Sequence, residues 1–324
     1  MAVTLADHAM QAANEGKLVL AEIAYWGLEE SQILQTIGWS TQPQLAVQVT
    51  AAKTLPTVGT RKINASFSES TGKFEQKIEN KYIFGHNIDV DPVLEKANPG
   101  ERQTQRRMSA KAMAYKFNDM FINGNPASDE FKGLKMRVDD INAKGFTDQY
   151  IDAGSVNAAN RGLLYDATER HYFFDKISEI IAAIIGGGPD ALFMNKKLYL
   201  AFESAARREK LLKQTEDMFG RIINTYSNVP LIDIGRDGYQ STTEIITNTE
   251  TLSGGTEETS VYAVKYGENE YLWGMQQDAL EVTDVGLTDD GMLRDRVEWV
   301  VGLAHSQPLS IARAYGFVAN AEAS

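Results

Sequence analysis

The sequence predicts an α+β fold, and three observations carry that prediction. Polar and apolar residues alternate at strand period on both sides of a Gly-containing turn within residues 60–90. One long helix is bounded by a start signal at Asn98-Pro99-Gly100-Glu101 and a stop at Asn123-Gly124-Asn125-Pro126. Beyond residue 166, helical patterns and short apolar runs mix without the regular strand–helix alternation of a parallel sheet.

Composition sets the bounds. A chain of 324 residues, 43% hydrophobic and 23% charged, can bury a large core and is not wholly disordered. A net charge of −12 disfavours a protein whose whole surface grips nucleic acid. Cysteine is absent, which removes disulfides, thiolate metal sites and cysteine nucleophiles. The most apolar windows, Leu18–Ile23 and Ile177–Ile185, are far shorter than the ~20 residues of a membrane span, so no membrane role is expected.

Residues 1–59 read as an extended arm. Weak helical patches lie at Leu18–Trp26 and around Ile33–Ile37, but no long amphipathic face can be drawn. Its Trp26, Leu28, Ile37 and Trp39 need covering, by a neighbour or as an irregular part of one core. Residues 60–90 read as a projecting hairpin. Ile63, Ala65 and Phe67 form one strand, Phe74, Gln76, Ile78 and Asn80 the other, and Glu69-Ser70-Thr71-Gly72 the turn. A lone hairpin is marginal in water and cannot bury Phe67, Phe74 and Ile78 by itself, so these three are expected between subunits.

Asn98 reads as the N-cap of the long helix, Pro99 as its first residue and Glu101 as the partner in a capping box. Met113, Phe117, Met120 and Phe121 form its apolar stripe. Arg102, Arg106, Arg107, Lys111 and Lys116 make it locally basic. Short strands are expected at Phe131–Val138 and Gln149–Ile151. A helix over about Glu169–Ile185, with Thr168 as its cap, ends at Gly186-Gly187-Gly188-Pro189. Strand Ala191–Met194 and a helix capped by Asn195 follow. Strands at Leu231–Ile234, Val261–Lys265, Tyr271–Met275, Arg296–Leu303 and Ser310–Phe317 complete the chain.

A catalytic constellation is not legible. His8, His86, His171 and His305 have no zinc spacing, and His305 reads as a strand-edge residue before a turn. The triple glycine lacks a following Lys-Ser/Thr and runs from helix to strand, so it is no phosphate loop. Asp139-Asp140 and Asp289-Asp290 lack calcium-loop spacing. No catalytic residue, metal or cofactor is assigned.

The order of the parts resembles the major capsid protein of tailed bacteriophages, the HK97-type fold. Arg61–Phe84 looks like that family's extended-loop hairpin and Glu101–Ile122 like its spine helix. Phe121-Ile122-Asn123-Gly124-Asn125 with Phe131-Lys132-Gly133-Leu134 is similar to the stretch after that helix. Pro189–Asn195, then Leu198 and Phe202, look like the strand and helix of the axial domain, and Asn228–Ile232 is similar to another of its strands, although Asn228 stands where Gly is usual. Arg294–Leu303 and Ile311–Phe317 look like closing strands of the peripheral domain. The resemblance implies an arm (1–59), a hairpin (60–90), a peripheral domain with spine helix (91–165), an axial domain (166–291) and return strands (292–324).

It also implies a non-enzymatic subunit that assembles into pentamers and hexamers of an icosahedral shell around double-stranded DNA, bound without sequence specificity. The location would be the virion, assembled in the host cytoplasm. No long heptad helix precedes the hairpin, so a separate scaffolding protein is implied. A decoration protein is compatible with the family. Arg102, Arg106, Arg107 and Lys111 are candidates for facing the lumen or an acidic neighbour; pairing within the chain is the plain alternative. Lys62, Lys73, Lys77 and Lys81 lie on the hairpin, and no crosslink is assigned to them. Two rival readings stay open. One is an encapsulin-type compartment, which tends to begin with a cargo-docking helix. The other is a hydrolase built on scattered carboxylates.

Overall fold

The computed structural model describes residues 4–15, 18–156, 167–216, 219–255 and 257–318. The boundary read between 165 and 166 lies outside the described residues.

The N-terminal region is helical rather than extended. Helices α1 (Leu5–Asn14), α2 (Leu18–Glu30) and α3 (Gln32–Thr36) lead into strand β1 (Trp39–Thr41). Thr4 and Asp7 cap α1 reciprocally. Leu28, Ile37 and Trp39 are buried in the chain's own core, and Trp26 packs at its edge. Of the two readings, these side chains follow the second, an irregular part of one core: the helices are short and lie on other helices, so their apolar faces are irregular in sequence.

Strands β2 (Ala46–Thr54) and β3 (Lys73–Asn80) form the hairpin, in register from Ala46 opposite Asn80 to Thr54 opposite Lys73. The expected partner strand at residues 61–68 does not form; it lies in the long loop 55–72. The physical reason is burial. Val47, Val49 and Ala51 alternate inward and pack on the body, whereas the 61–68 alternation has nothing beneath it. Strand β4 (Tyr82–Val90) follows directly and re-enters the body.

After α4 (Pro92–Ala97), the long helix α5 spans Glu101–Asn123. Its N-cap is Gly100, at φ +103, not Asn98, because the short α4 takes up the residues before it. Asn98 still donates its side-chain amide to Glu101, at 3.1 Å. The segment read as a strand at 131–138 is helical: α6 covers Leu134–Ala143. Leu134, Val138 and Ile141 are buried at helical spacing, and this outweighs the short apolar run before them.

The remaining elements follow the expected order. They are β5 (Tyr150–Val156), α7 (Ala167–Ala183), β6 (Ala191–Met194), α8 (Lys196–Arg208), β7 (Lys213–Glu216), β8 (Ile222–Tyr226) and β9 (Val229–Asp233). Then come β10 (Glu258–Val264), β11 (Leu272–Gln276), β12 (Glu281–Leu287), β13 (Leu293–His305) and β14 (Ile311–Val318). Thr168 lies inside α7 rather than capping it.

Two main sheets organise the chain. One runs β5-β14-β10-β6-β9-β8-β7. Its central strands feed two cores by alternation. Val261 and Ala263 of β10 face the phenylalanines of α7 and α8, whereas Tyr262 and Val264 face the α5 side. The second sheet is built on the 13-residue β13, flanked by β4 on one side and by β12 and β11 on the other. Helix α5 packs Phe117 against Trp39, Phe131 and Trp299, with ring centroids 5.7–6.0 Å apart. Gly274 lies opposite Trp39; a Cβ there would come within 2.4 Å of the indole, so only glycine permits this approach.

Candidate functional site

The hairpin is amphipathic, and its charged face points inward. Glu75, Lys77 and Glu79 of β3 are half-buried against the body, while Phe74 and Ile78, each 73% exposed, point out. Its loop adds Leu55, Val58, Ile63 and Phe67, all exposed. The loop carries its own local order: Thr57 donates its N–H to the Ser70 hydroxyl at 2.7 Å, and the Arg61 guanidinium lies 5.2 Å from the Phe67 ring centroid. Residues 53–73 hold four basic side chains against Glu69 alone. Sequence alternation identified the two faces of β3; it did not show which one docks on the chain itself.

The inward face meets a polar node. Arg137 of α6, fully buried, donates to both carboxylate oxygens of Glu79, at 2.7 and 3.0 Å. It also donates to the Leu303 carbonyl at 2.8 Å and to His305 Nδ1 at 2.7 Å. Lys77 Nζ lies 3.2 Å from His305 Nε2, and Lys144 bonds Glu75 at 2.5 Å. Burial, then the nearby Arg137 and lysines, holds the His305 imidazole well below its usual pKa. Lys81, just past the hairpin, donates to the backbone carbonyls of Gln42 and Gln276. A single arginine in a short helix carries no pattern, so the sequence gives no sign of the role of Arg137.

The basic face of α5 is mostly neutralised within the chain. Arg102 and Arg106 both donate to Asp295 of β13, whose side chain is 1% exposed. Arg102 also reaches Asp284 of β12 at 2.7 Å, and this hydrogen bond holds the Asp284 carboxyl below the usual range. Lys111 pairs with Glu30 of α2. Arg107 is exposed. Arg102, Arg106 and Lys111 thus each have a carboxylate partner within the chain, which is the plain alternative named for them. Asp295 and Glu30 are distant in sequence, so spacing could not reveal these partners.

An open apolar groove of about 660 Å³ lies between α1 and α2, lined by Ala6, Ala9, Met10, Ala13, Trp26 and Phe219 among others. A more polar cleft of about 200 Å³ gathers Asp119, Glu244 and Glu250. Each of these carboxylates serves the fold: Asp119 bonds Lys116 and Asn123, Glu244 bonds Asn248, and Glu250 bonds Arg313. Among the described residues no group of three or more His, Asp or Glu side chains is arranged to hold a metal ion. None of their helices is long and apolar enough to cross a membrane.

A sheet built on one long central strand, a second sheet with α7 and α8 on one face and the α5 side on the other, and a hairpin docked on the body through its inner strand face define the fold. The chain has the HK97-like capsid fold. It superposes on the holo-SrpI encapsulin of Synechococcus elongatus PCC 7942 with a TM-score of 0.62, at 14% identity over 89% of this chain and 88% of that one. The capsid of the empty GTA particle gives 0.58, at 14% identity over 89% and 90%. A structure from Mycobacterium phage Bobi gives 0.57, at 10% identity over 88% and 89%. No family model and no curated protein matches the sequence.

Proposed function

We propose that this chain is the major capsid protein of a tailed phage, assembling into pentamers and hexamers of a closed shell around double-stranded DNA. The observation that carries the shell reading is the outer face of the hairpin. Phe74 and Ile78, with Phe67 in the loop, stay exposed on the chain's own surface although the fold is otherwise well filled. Large apolar side chains exposed on one strand face mark a contact surface; the inner face of the ribbon already docks on the chain itself through Val47 and Val49, so the outer face is the one left to be covered. A second copy supplies that surface. Repeated heterologous contacts of this kind close into rings, and many modest overlaps add through multivalency.

On this reading the net charge of −12 keeps filled shells apart. Contact with DNA is sequence-independent and salt-sensitive, with the exposed Arg107 available for it. A separate scaffolding protein directs assembly in the host cytoplasm, and the mature location is the virion.

One observation favours a second reading, an encapsulin-type compartment around cargo protein. Helices α1 and α2 pack beside an open apolar groove where an extended arm was expected. Negative-stain imaging of the purified protein, with nuclease-protection and protein analysis of its contents, separates the readings. DNA-filled shells support the first, protein-filled shells the second, and a monodisperse monomer under all assembly conditions overturns both.

A further inference from the structure

The polar node under the hairpin contains a lysine whose protonation state follows from geometry. Arg137 Nη1 lies 2.7 Å from His305 Nδ1. A guanidinium only donates, so Nδ1 accepts and the neutral imidazole carries its proton on Nε2. That Nε2–H faces Lys77 Nζ at 3.2 Å. An ammonium would set N–H against N–H there; an amine offers its lone pair to the imidazole proton. We propose that Lys77 is held as an uncharged amine and forms a modification site for activated acyl groups, such as an anhydride, thioester or acyl phosphate.

The other cations facing the node are balanced elsewhere: Arg137 by Glu79, Lys144 by Glu75 and Lys132 by Asp140. Burial and then the positive Lys144 depress the Lys77 pKa, against the pull of Glu75 and Glu79. Lys81, also depressed by burial, differs in its partners: it donates to two backbone carbonyls, where Lys77 faces an imidazole. Lys77 is half-buried and lines an open cavity of about 230 Å³ with Ile78, Lys132, Arg137 and His305, so a small acyl donor can reach it.

In the reaction, Lys77 gives up the hydrogen bond from His305 Nε2–H, and the freed lone pair attacks the acyl carbonyl carbon. The N–C bond forms, the bond to the leaving group breaks with its electron pair, and one amine proton passes to water. The product amide presents a carbonyl oxygen that can accept the His305 Nε2–H in place of the lost amine. The site stands on the node alone and does not depend on the shell reading.

The test is limited acetylation of the full chain with acetic anhydride at pH 7, 8 and 9, with peptide mass mapping. The readout is the ratio of acetylation at Lys77 to that at the exposed Lys62. An ordinary exposed lysine loses free amine about tenfold per pH unit below its pKa, so the ratio should rise by about that factor per unit as pH falls. A pH-independent ratio, or no acetylation of Lys77, overturns the proposal. In His305→Ala the ratio should lose its pH dependence, and persistence of it would overturn the tautomer argument. If that variant does not fold, the wild-type ratio decides.

Discussion

Arg137 and Glu79 lie 58 residues apart and meet in a two-point pair whose guanidinium is fully buried. The pair ties the hairpin strand β3 to helix α6 beneath the end of β13. It makes the root of the excursion rigid while leaving the loop beyond it free of the body. On the proposed shell reading that division is useful: a fixed root sets the direction in which a contact surface is offered.

Breaking the pair from one side should be costly. Glu79→Gln leaves the Arg137 charge without its counter-ion, and such losses run to about 3–5 kcal/mol. Urea unfolding of the variant should show that loss, together with faster hydrogen exchange in residues 73–80. Unchanged exchange there would mean the hairpin root is held by other contacts.

Phe117 is 1% exposed and touches Trp39, Phe121, Phe131 and Trp299. Phe117→Ala should therefore destabilise the subunit by about 3–5 kcal/mol. The midpoint of chemical unfolding measures this, and a loss under about 1 kcal/mol would show that the aromatic cluster can collapse around the gap.

The outer hairpin face should behave in the opposite way. Phe74→Ser with Ile78→Ser alters two exposed side chains, so stability should stay within about 0.5 kcal/mol per site. Assembly should fail under conditions where the parent forms shells, as seen by light scattering. Normal shells from this variant would remove the hairpin from the contact.

Charge reversal at Arg102 now has a definite expected outcome. Arg102→Glu sets a third carboxylate beside Asp284 and the buried Asp295. Folding or assembly should suffer before any effect on DNA retention is seen. Stable DNA-filled shells that lose DNA only at raised salt would show that Arg102 serves the genome after all.

Stability should also fall between pH 7 and 5. The folded His305 has a pKa well below the ordinary 6.5, and burial depresses His8 and His86 as well. The unfolded chain therefore takes up protons below about pH 6.5 that the folded chain refuses, and this favours unfolding. The contribution is fully present above 6.5 and is lost as pH drops toward the folded pKa. His305→Gln should flatten the slope of the urea midpoint against pH, and an unchanged slope would assign the effect elsewhere.

The sequence alone determined the parts with local signatures. The α5 helix was legible from its start and stop residues and its apolar stripe, and β6, β10, β11, β13 and β14 from apolar runs bounded by turns. Strand β3 was legible from its alternation, because period two is fixed by the backbone itself. Tertiary structure decided the rest. Residues 46–54 became the hairpin partner because Val47 and Val49 find Trp273, Met275 and Ala304 to cover them. Residues 5–36 became packed helices rather than an arm because α5 and β13 offer a surface for Leu28 and Ile33. Arg102 and Arg106 of α5 turned inward because Asp295, nearly 200 residues away, is buried beside them. Local propensity acts over a few residues and leaves its trace in the sequence; a long-range ion pair or a buried face depends on which distant segment arrives, and only the folded chain supplies it.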